Sequence, residues 1–389
     1  MDISSYFQPL EKLPYESDED QRSILRDKVK RYVKGTAFPD ISGYDMAIIG
    51  VGEDRGSVRN DGCNDAPDRI REKFYALKSA QYPYKIVDLG NMIPGKTIQD
   101  TYAAISMIHV ELFRQGVFVV ILGGSQDLTY AQYVAYQKME ETVNIVAVDS
   151  KFDLGTTEQA LSADSYLGKI VLHEPNFLFN FSNIGYQSYF VGAEQVDLMD
   201  KLYFDSYRLG QVQRDIEETE PIVRNADIFS FDISAVRQSD APGNGNASPN
   251  GFYGEEACQI VRYAGMSDKL SSFGLYEINP LYDNHDQTAH LAAQMLWYLL
   301  EGFYNRKKDV PLKSKTNFTK YHVAVNDEER EIVFYKSTRS ERWWMEVPYP
   351  NNKSRYHRHH LIPCSYKDYE TACRHEMPDR WWQAFQKLS

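Results

Sequence analysis

The chain has 389 residues, 42% hydrophobic and 25% charged, enough for one large domain with an appendage or for two domains. A net charge of −12 argues against nonspecific nucleic-acid binding, which needs a basic surface for phosphate contacts. Four unpatterned cysteines and no apolar run near the length of a membrane span exclude a disulfide framework, a zinc ribbon and membrane insertion from the expectations.

The opening stretch "MDISSYFQPLEKLPYESDEDQRS" has neither the basic nor the apolar region of a secretion signal, so a reduced, cytoplasmic protein is expected. Residues 1–40 read as an N-terminal segment. Over 41–310, short β-branched runs then alternate with helical patterns. In chain order the runs are "DMAIIGVG", "YKIVDLG", "GVFVVILGG", "VNIVAVDS", "SYFVGAE", "DIFSFDIS" and "SSFGLYEINP". The helical patterns "TIQDTYAAISMIHVELFRQG", "DLTYAQYVAYQKMEE", "GEEACQIVRYAGMS" and "LAAQMLWYLLEGF" lie among and after them. Strands apolar throughout and separated by amphipathic helices predict a mainly parallel sheet in a three-layer α/β/α arrangement. Such sheets place ligands beyond the carboxyl ends of their strands, and four runs end in polar sequence: "GGSQD", "DSKFD", "FDIS" and "YEINP".

From 311 to 389 the composition changes. This C-terminal extension holds four of the five tryptophans, and its Lys and Arg outnumber Asp and Glu by 4, leaving −16 on residues 1–310. The asymmetry suggests an appended unit that docks on an acidic core. It contains an internal echo, "ERWWMEVP" and "DRWWQAFQ". Trp343, Trp344, Trp381 and Trp382 either pack the extension on its own core or, as aromatics beside arginine, form an interface with a protein partner or a second copy.

Asp149 and Asp153 end one run with Lys151 between them, and Asp232 ends another. Converging carboxylates suit a metal-activated water, and each of these residues also suits an ordinary strand end or helix cap. Protonated lysine has no lone pair and cannot ligate a metal. Lys151 is therefore read either as the counter-charge of a carboxylate cluster or as a side chain pointing to solvent.

Five stretches in order resemble the ureohydrolase superfamily of arginase, agmatinase and formimidoylglutamase, the last most closely. They are "IIGVGEDRGSVRNDGCNDAPDRIREKFYAL", "ILGGSQDLTYAQ", "VAVDSKFDLG", "SFDISAVRQSDAPGNGNASPNGF" and "YEINPLYDNHDQTAHLAAQML", within roughly 45–305. The resemblance implies an arginase-like fold and, for the family, two Mn²⁺ held by two His and four Asp. Position by position, Asp149, Asp153 and Asp232 are kept, while Gln126 and Lys151 stand where the family has His and Ser234 where it has Asp. The family's downstream His falls near Tyr166, and Glu277 matches the Glu that holds the substrate's guanidinium or amidine. Gln and Ser are weak neutral ligands, so no manganese and no catalytic residues are expected here.

The reading is then a non-catalytic binding or scaffold protein, possessing a protein partner or a homo-oligomeric state. The alternative is a working hydrolase of linear C–N bonds, such as formimidoylglutamate, with an altered or single-metal site. In "KSRYHRHHLIPC", the spacing of His357, His359, His360 and Cys364 does not match a structural zinc site, and a solvated basic loop is expected. Cys63 has no identifiable His partner and reads as inert.

Overall fold

The computed structural model describes residues 2–11, 24–312, 315–325, 330–349 and 354–388. Ten strands form its main sheet: β1 (Phe7–Gln8), β2 (Val29–Arg31), β3 (Met46–Val51), β4 (Ile86–Met92), β5 (Phe118–Gly123), β6 (Val143–Val148), β7 (Leu178–Tyr186), β8 (Asp205–Arg208), β9 (Ile228–Asp232) and β10 (Ser272–Tyr276). Their order is β1-β4-β3-β5-β10-β9-β6-β7-β8, with β2 also paired to β4. Every pairing is parallel except that of β1 with β4.

Nine helices accompany this sheet among the described residues: α1 (Ala66–Ala76), α2 (Ile98–Arg114), α3 (Leu128–Lys138), α4 (Tyr166–Val171), α5 (Ala193–Lys201), α6 (Leu209–Arg214), α7 (Thr219–Arg224), α8 (Gly254–Met266) and α9 (Gln287–Tyr304). Successive strand residues point to opposite faces, and helices cover both faces, so the central strands are apolar throughout. Met46 and Ile48 of β3, with Phe118, Val120 and Leu122 of β5, pack beneath α1, α7, α8 and α9. Ala47, Ile49, Val119 and Ile121 pack on the other side beneath α2 and α3. The predicted α/β/α layering is the observed one. Helix starts follow local rules as well: Thr97 and Asp100 form a reciprocal cap at the head of α2.

One sequence expectation needs correction. "SYFVGAE" is not a strand; residues 188–190 are turns, Ala193 opens α5, and the strand lies one run earlier, in β7. Asn180, Ser182 and Asn183 dilute the apolar signal of "LFNFSNIGY". They are tolerated inside because Asn180 Nδ2 and Ser182 Oγ donate to Asp205 Oδ2 at 2.7 and 2.8 Å, and Asn183 Nδ2 donates to the Lys151 carbonyl at 2.6 Å. The N-terminal segment, of which residues 1 and 12–23 lie outside the described residues, contributes β1 and β2, both paired with β4.

The C-terminal region forms a second, four-stranded antiparallel sheet in the order β11 (Phe318–Val325), β12 (Arg330–Ser337), β13 (Trp343–Glu346), β14 (Leu361–Cys364). Helices α10 (Tyr366–Cys373) and α11 (Asp379–Leu388) follow it. The two "RWW" echoes adopt different structures. In β13 neighbouring residues face opposite sides, and both sides are covered: Trp343 packs with Phe334 and Met345, Trp344 with Tyr335 and Leu361. In α11 the same step is about a 100° rotation, so Trp381 is buried and Trp382 is left 46% exposed. Of the four tryptophans considered for an interface, Trp343, Trp344 and Trp381 are thus consumed by internal packing, and Trp382 alone presents a surface.

This second sheet sits against the amino ends of β6, β7, β9 and β10. Arg358 bridges Glu141 at 2.6 Å and the buried Asp227 at 2.5 Å, just ahead of β6 and β9. Arg342 pairs with Glu220 at 3.1 Å, Arg380 with Glu218 at 3.0 Å, and Lys367 with Asp215. Arg224 at the end of α7 stacks 4.3 Å from the Trp344 ring and donates to the carbonyls of Trp343 and Cys364 at 3.1 and 3.2 Å. Basic extension on acidic core is the pairing its charge implied. The seam lies at the end of the sheet opposite to the carboxyl ends of its strands. Among the described residues no helix is long and apolar enough to cross a membrane.

Candidate functional site

β5, β10, β9 and β6 are consecutive in the sheet, and their carboxyl ends deliver Gln126, Glu277, Asp232 and Asp149 to one place. Asp153 joins them from the loop after β6, with its backbone in the left-handed region at φ 49°. Gln126, Asp149, Asp153, Asp232, Ser234 and Glu277 are all 9% exposed or less.

Glu277 is the best-anchored member. It also has positive φ, 65°, a strained setting held by several bonds. Its Oε1 accepts the Gln126 backbone N–H at 2.9 Å, its Oε2 accepts Asn60 Nδ2 at 2.7 Å, and its carbonyl accepts Asn244 Nδ2 at 2.7 Å. Burial lifts its pKa to about 7, with those bonds and neighbouring acids as smaller influences. Asp232 Oδ1 accepts the Ser234 N–H at 2.7 Å, and the Ser234 hydroxyl also bonds this carboxylate.

The three aspartates strain against one another. Burial raises all three pKa values above the ordinary carboxylate range. Asp153 is pushed further by Asp149 and Asp232, and the hydrogen bond between Asp149 and Asp153 raises Asp153 while lowering Asp149. Tyr166 stands among them, its own pKa raised by burial and then by Asp153, Asp149 and Asp232. Gln126 Nε2 donates to the Tyr166 hydroxyl at 3.4 Å and to Ser230 Oγ at 3.3 Å. Gln126 Oε1 and Asp149 Oδ2 are buried without hydrogen-bond partners. Among the described residues no group of three or more His, Cys, Asp or Glu side chains is arranged to hold a metal ion.

Lys151 departs from its role as an ion-pair partner. Its charge favours ionised Asp149 and Asp153, but less than burial opposes them, and its ammonium forms no ion pair with these carboxylates. What holds it is backbone: its N–H donates to Asp149 Oδ1 at 2.8 Å and its carbonyl accepts from Asn183. The side chain is half-buried at the rim. Lys151→Ala is therefore expected to cost less than about 1 kcal/mol, the scale of a solvent-screened charge. Urea unfolding at pH 7 measures this, and a loss of about 3 kcal/mol or more would mean that the ammonium is locked into the cluster after all.

Sequence reasoning missed Asn60, which reaches Glu277 across 217 positions. It also missed Asp127, buried beside Gln126 and raised by burial to about 6, with Oδ2 accepting the Tyr102 hydroxyl. Cys63 is buried, and burial drives its thiol pKa upward, so it is no nucleophile. The "HRHH" stretch is not a solvated loop: His359 and His360 are buried and Arg358 is ion-paired. Lys353 lies outside the described residues.

A three-layer α/β/α frame with polar groups gathered at four adjacent strand ends defines an arginase-like fold. The sequence pattern of the arginase family matches residues 44–301, and the chain belongs to that family. A formimidoylglutamase of Staphylococcus aureus is 26% identical over 291 residues, which span 70% of this chain and 93% of that protein. Among solved structures, formimidoylglutamase from Bacillus subtilis superposes with a TM-score of 0.68 at 20% identity, covering 76% of this chain and 97% of that one. Trypanosoma cruzi formiminoglutamase with Mn²⁺ gives 0.63 at 22%, covering 68% and 94%. The agmatine ureohydrolase of Thermoplasma volcanium gives 0.58 at 21%, covering 69% and 94%.

Proposed function

We propose that this arginase-family protein keeps the family's strand-end pocket as a binding or scaffold element and does not carry out two-manganese hydrolysis. The observation that carries this reading is the donor set. Gln126 spends its amide N–H on Tyr166 and Ser230, Ser234 offers its backbone to Asp232, Lys151 cannot ligate, and Tyr166 stands among the three aspartates. Those residues do not fit a pair of divalent cations. Within this reading, residues 41–310 form the pocket-bearing domain and 311–389 a separate extension.

A second reading, hydrolysis of a linear amidine such as formimidoylglutamate, is favoured by the comparisons, in which formimidoylglutamases recur along most of their own length. Glu277, fixed by Asn60 and the Gln126 backbone, supports it too, as a carboxylate positioned to face a cationic amidine. In that reading Asp149, Asp153 and Asp232 would share one cation, whose positive charge would ionise the raised carboxyls.

Metal analysis of protein purified without chelator separates the two. Well under one equivalent of manganese per chain is expected, with no turnover of formimidoylglutamate, agmatine or arginine in added Mn²⁺. About one bound equivalent together with metal-dependent turnover would establish the hydrolase.

A further inference from the structure

The buried seam between the two sheets contains a histidine that neither reading uses. His359, at the end of a 3-10 turn over Ser354–His359, is 1% exposed. Its ring lies flat on Phe179 of β7, with centroids 3.9 Å apart and planes 11° from parallel. Nε2 bonds Thr142 Oγ1 at 2.8 Å, while Nδ1 is buried with no partner at all. A neutral imidazole tolerates this arrangement. An imidazolium has two N–H donors and a charge, and here one donor has nothing to meet.

The charges around it worsen the case. Lys269 from the loop before β10, Arg358 from its own turn and Lys387 from α11 all disfavour a positive ring. The nearby carboxylates are already engaged with these cations. Asp227 pairs with Lys269 at 3.3 Å and with Arg358, Glu141 pairs with Arg358, and Asp205 acts on Lys387. No carboxylate contributes to stabilising a charged His359.

We infer that His359 makes the docking of the C-terminal sheet acid-sensitive: protonation drives the imidazole out of the seam and loosens residues 354–364 from the amino ends of β6 and β7. The sign follows from linkage. Burial and the three cations hold the docked imidazole well below the usual histidine range, whereas the undocked ring titrates near 6.5. The docked state therefore binds fewer protons. Docking is at full strength above about 6.5 and weakens as pH falls below it, by up to tenfold in the docking equilibrium per pH unit. The raised aspartates at the far end of the sheet act in the opposite direction, stabilising the fold as pH falls, so the two effects separate by location as well as by sign.

Hydrogen exchange of the full chain, corrected for the intrinsic pH dependence of exchange, tests this between pH 7.5 and 5.5. Protection of segments 143–146, 178–182 and 359–364 should drop about tenfold at the low end while β3 and β5 stay unchanged. His359→Gln should remove most of the pH dependence, leaving the smaller share of His360, which burial also holds below the usual histidine range, and His173→Gln should leave it intact. Should His359→Gln not fold, Lys387→Gln serves instead: with one facing cation gone, the acid-induced loss should shrink. Seam protection that is constant over this range, or equally pH-dependent in parent and variant, overturns the inference.

Discussion

Protein truncated after Val310 is expected to aggregate or self-associate and to melt at least several degrees below the full chain. Removing the second sheet uncovers Phe179 and Ile222 and takes away what covers Arg224. Large apolar side chains cost about 1.5–3 kcal/mol each when uncovered. Arg224, now 5% exposed, would lose the Trp344 ring and two carbonyl acceptors, keeping only Glu220. Asp227 would lose Arg358 and keep Lys269, and breaking such a buried pair from one side costs about 3–5 kcal/mol before water enters. Light scattering and thermal melts of the truncated protein give the answer. A soluble, monomeric fragment of unchanged stability would show the extension to be an independent module.

Asp153→Asn should stabilise the protein near neutral pH by about 1–3 kcal/mol, the cost of a poorly satisfied buried polar group. Asp153 is buried against Asp149 and Asp232, and its carboxyl is raised by burial and then by both neighbours. A carboxyl whose folded pKa exceeds its unfolded value, about 4, stabilises the fold below that value and loses the contribution as pH rises through the folded one. The parent therefore bears the penalty at pH 7, and asparagine, which tolerates the left-handed backbone at this position, removes it. The gain should vanish below about pH 4, where the aspartate is neutral in both states. Denaturant unfolding of parent and variant from pH 4 to 8 measures it. A variant less stable at pH 7, with the parent alone gaining stability from added Mn²⁺, would mean a cation resides among the three aspartates and would favour the hydrolase.

The strand-end acids were legible because they follow largely apolar runs. Val143–Val148 runs straight into Asp149, and Ser272–Tyr276 into Glu277, so the strand positions its own terminal carboxylate. Asn60 was not legible, because its bond to Glu277 spans 217 residues and no local pattern announces it. Strand β7 was hidden by Asn and Ser whose buried side chains are satisfied by Asp205 and by the Lys151 carbonyl, partners that adjacent strands and loops supply. The second sheet left little trace beyond composition. Its β11 alternates exposed and half-buried residues over a face set by the partner strand, and "RWW" serves equally as strand in β13 and helix in α11.

Sequence by itself determined the parallel α/β/α core, the gathering of Asp149, Asp153, Asp232 and Glu277 at its carboxyl end, and the basic-on-acidic sense of the extension, because periodicity, strand ends and charge are local properties of the chain. Tertiary structure alone decided that Lys151 stays at the rim without an ion pair, that three of four tryptophans are interior, and that the extension docks at the opposite end of the sheet with His359 in the seam. The physical reason is that each of these depends on which distant groups surround a side chain. Burial and the arrangement of neighbouring charges, not residue type, set whether a lysine pairs, a carboxyl ionises or an imidazole stays neutral.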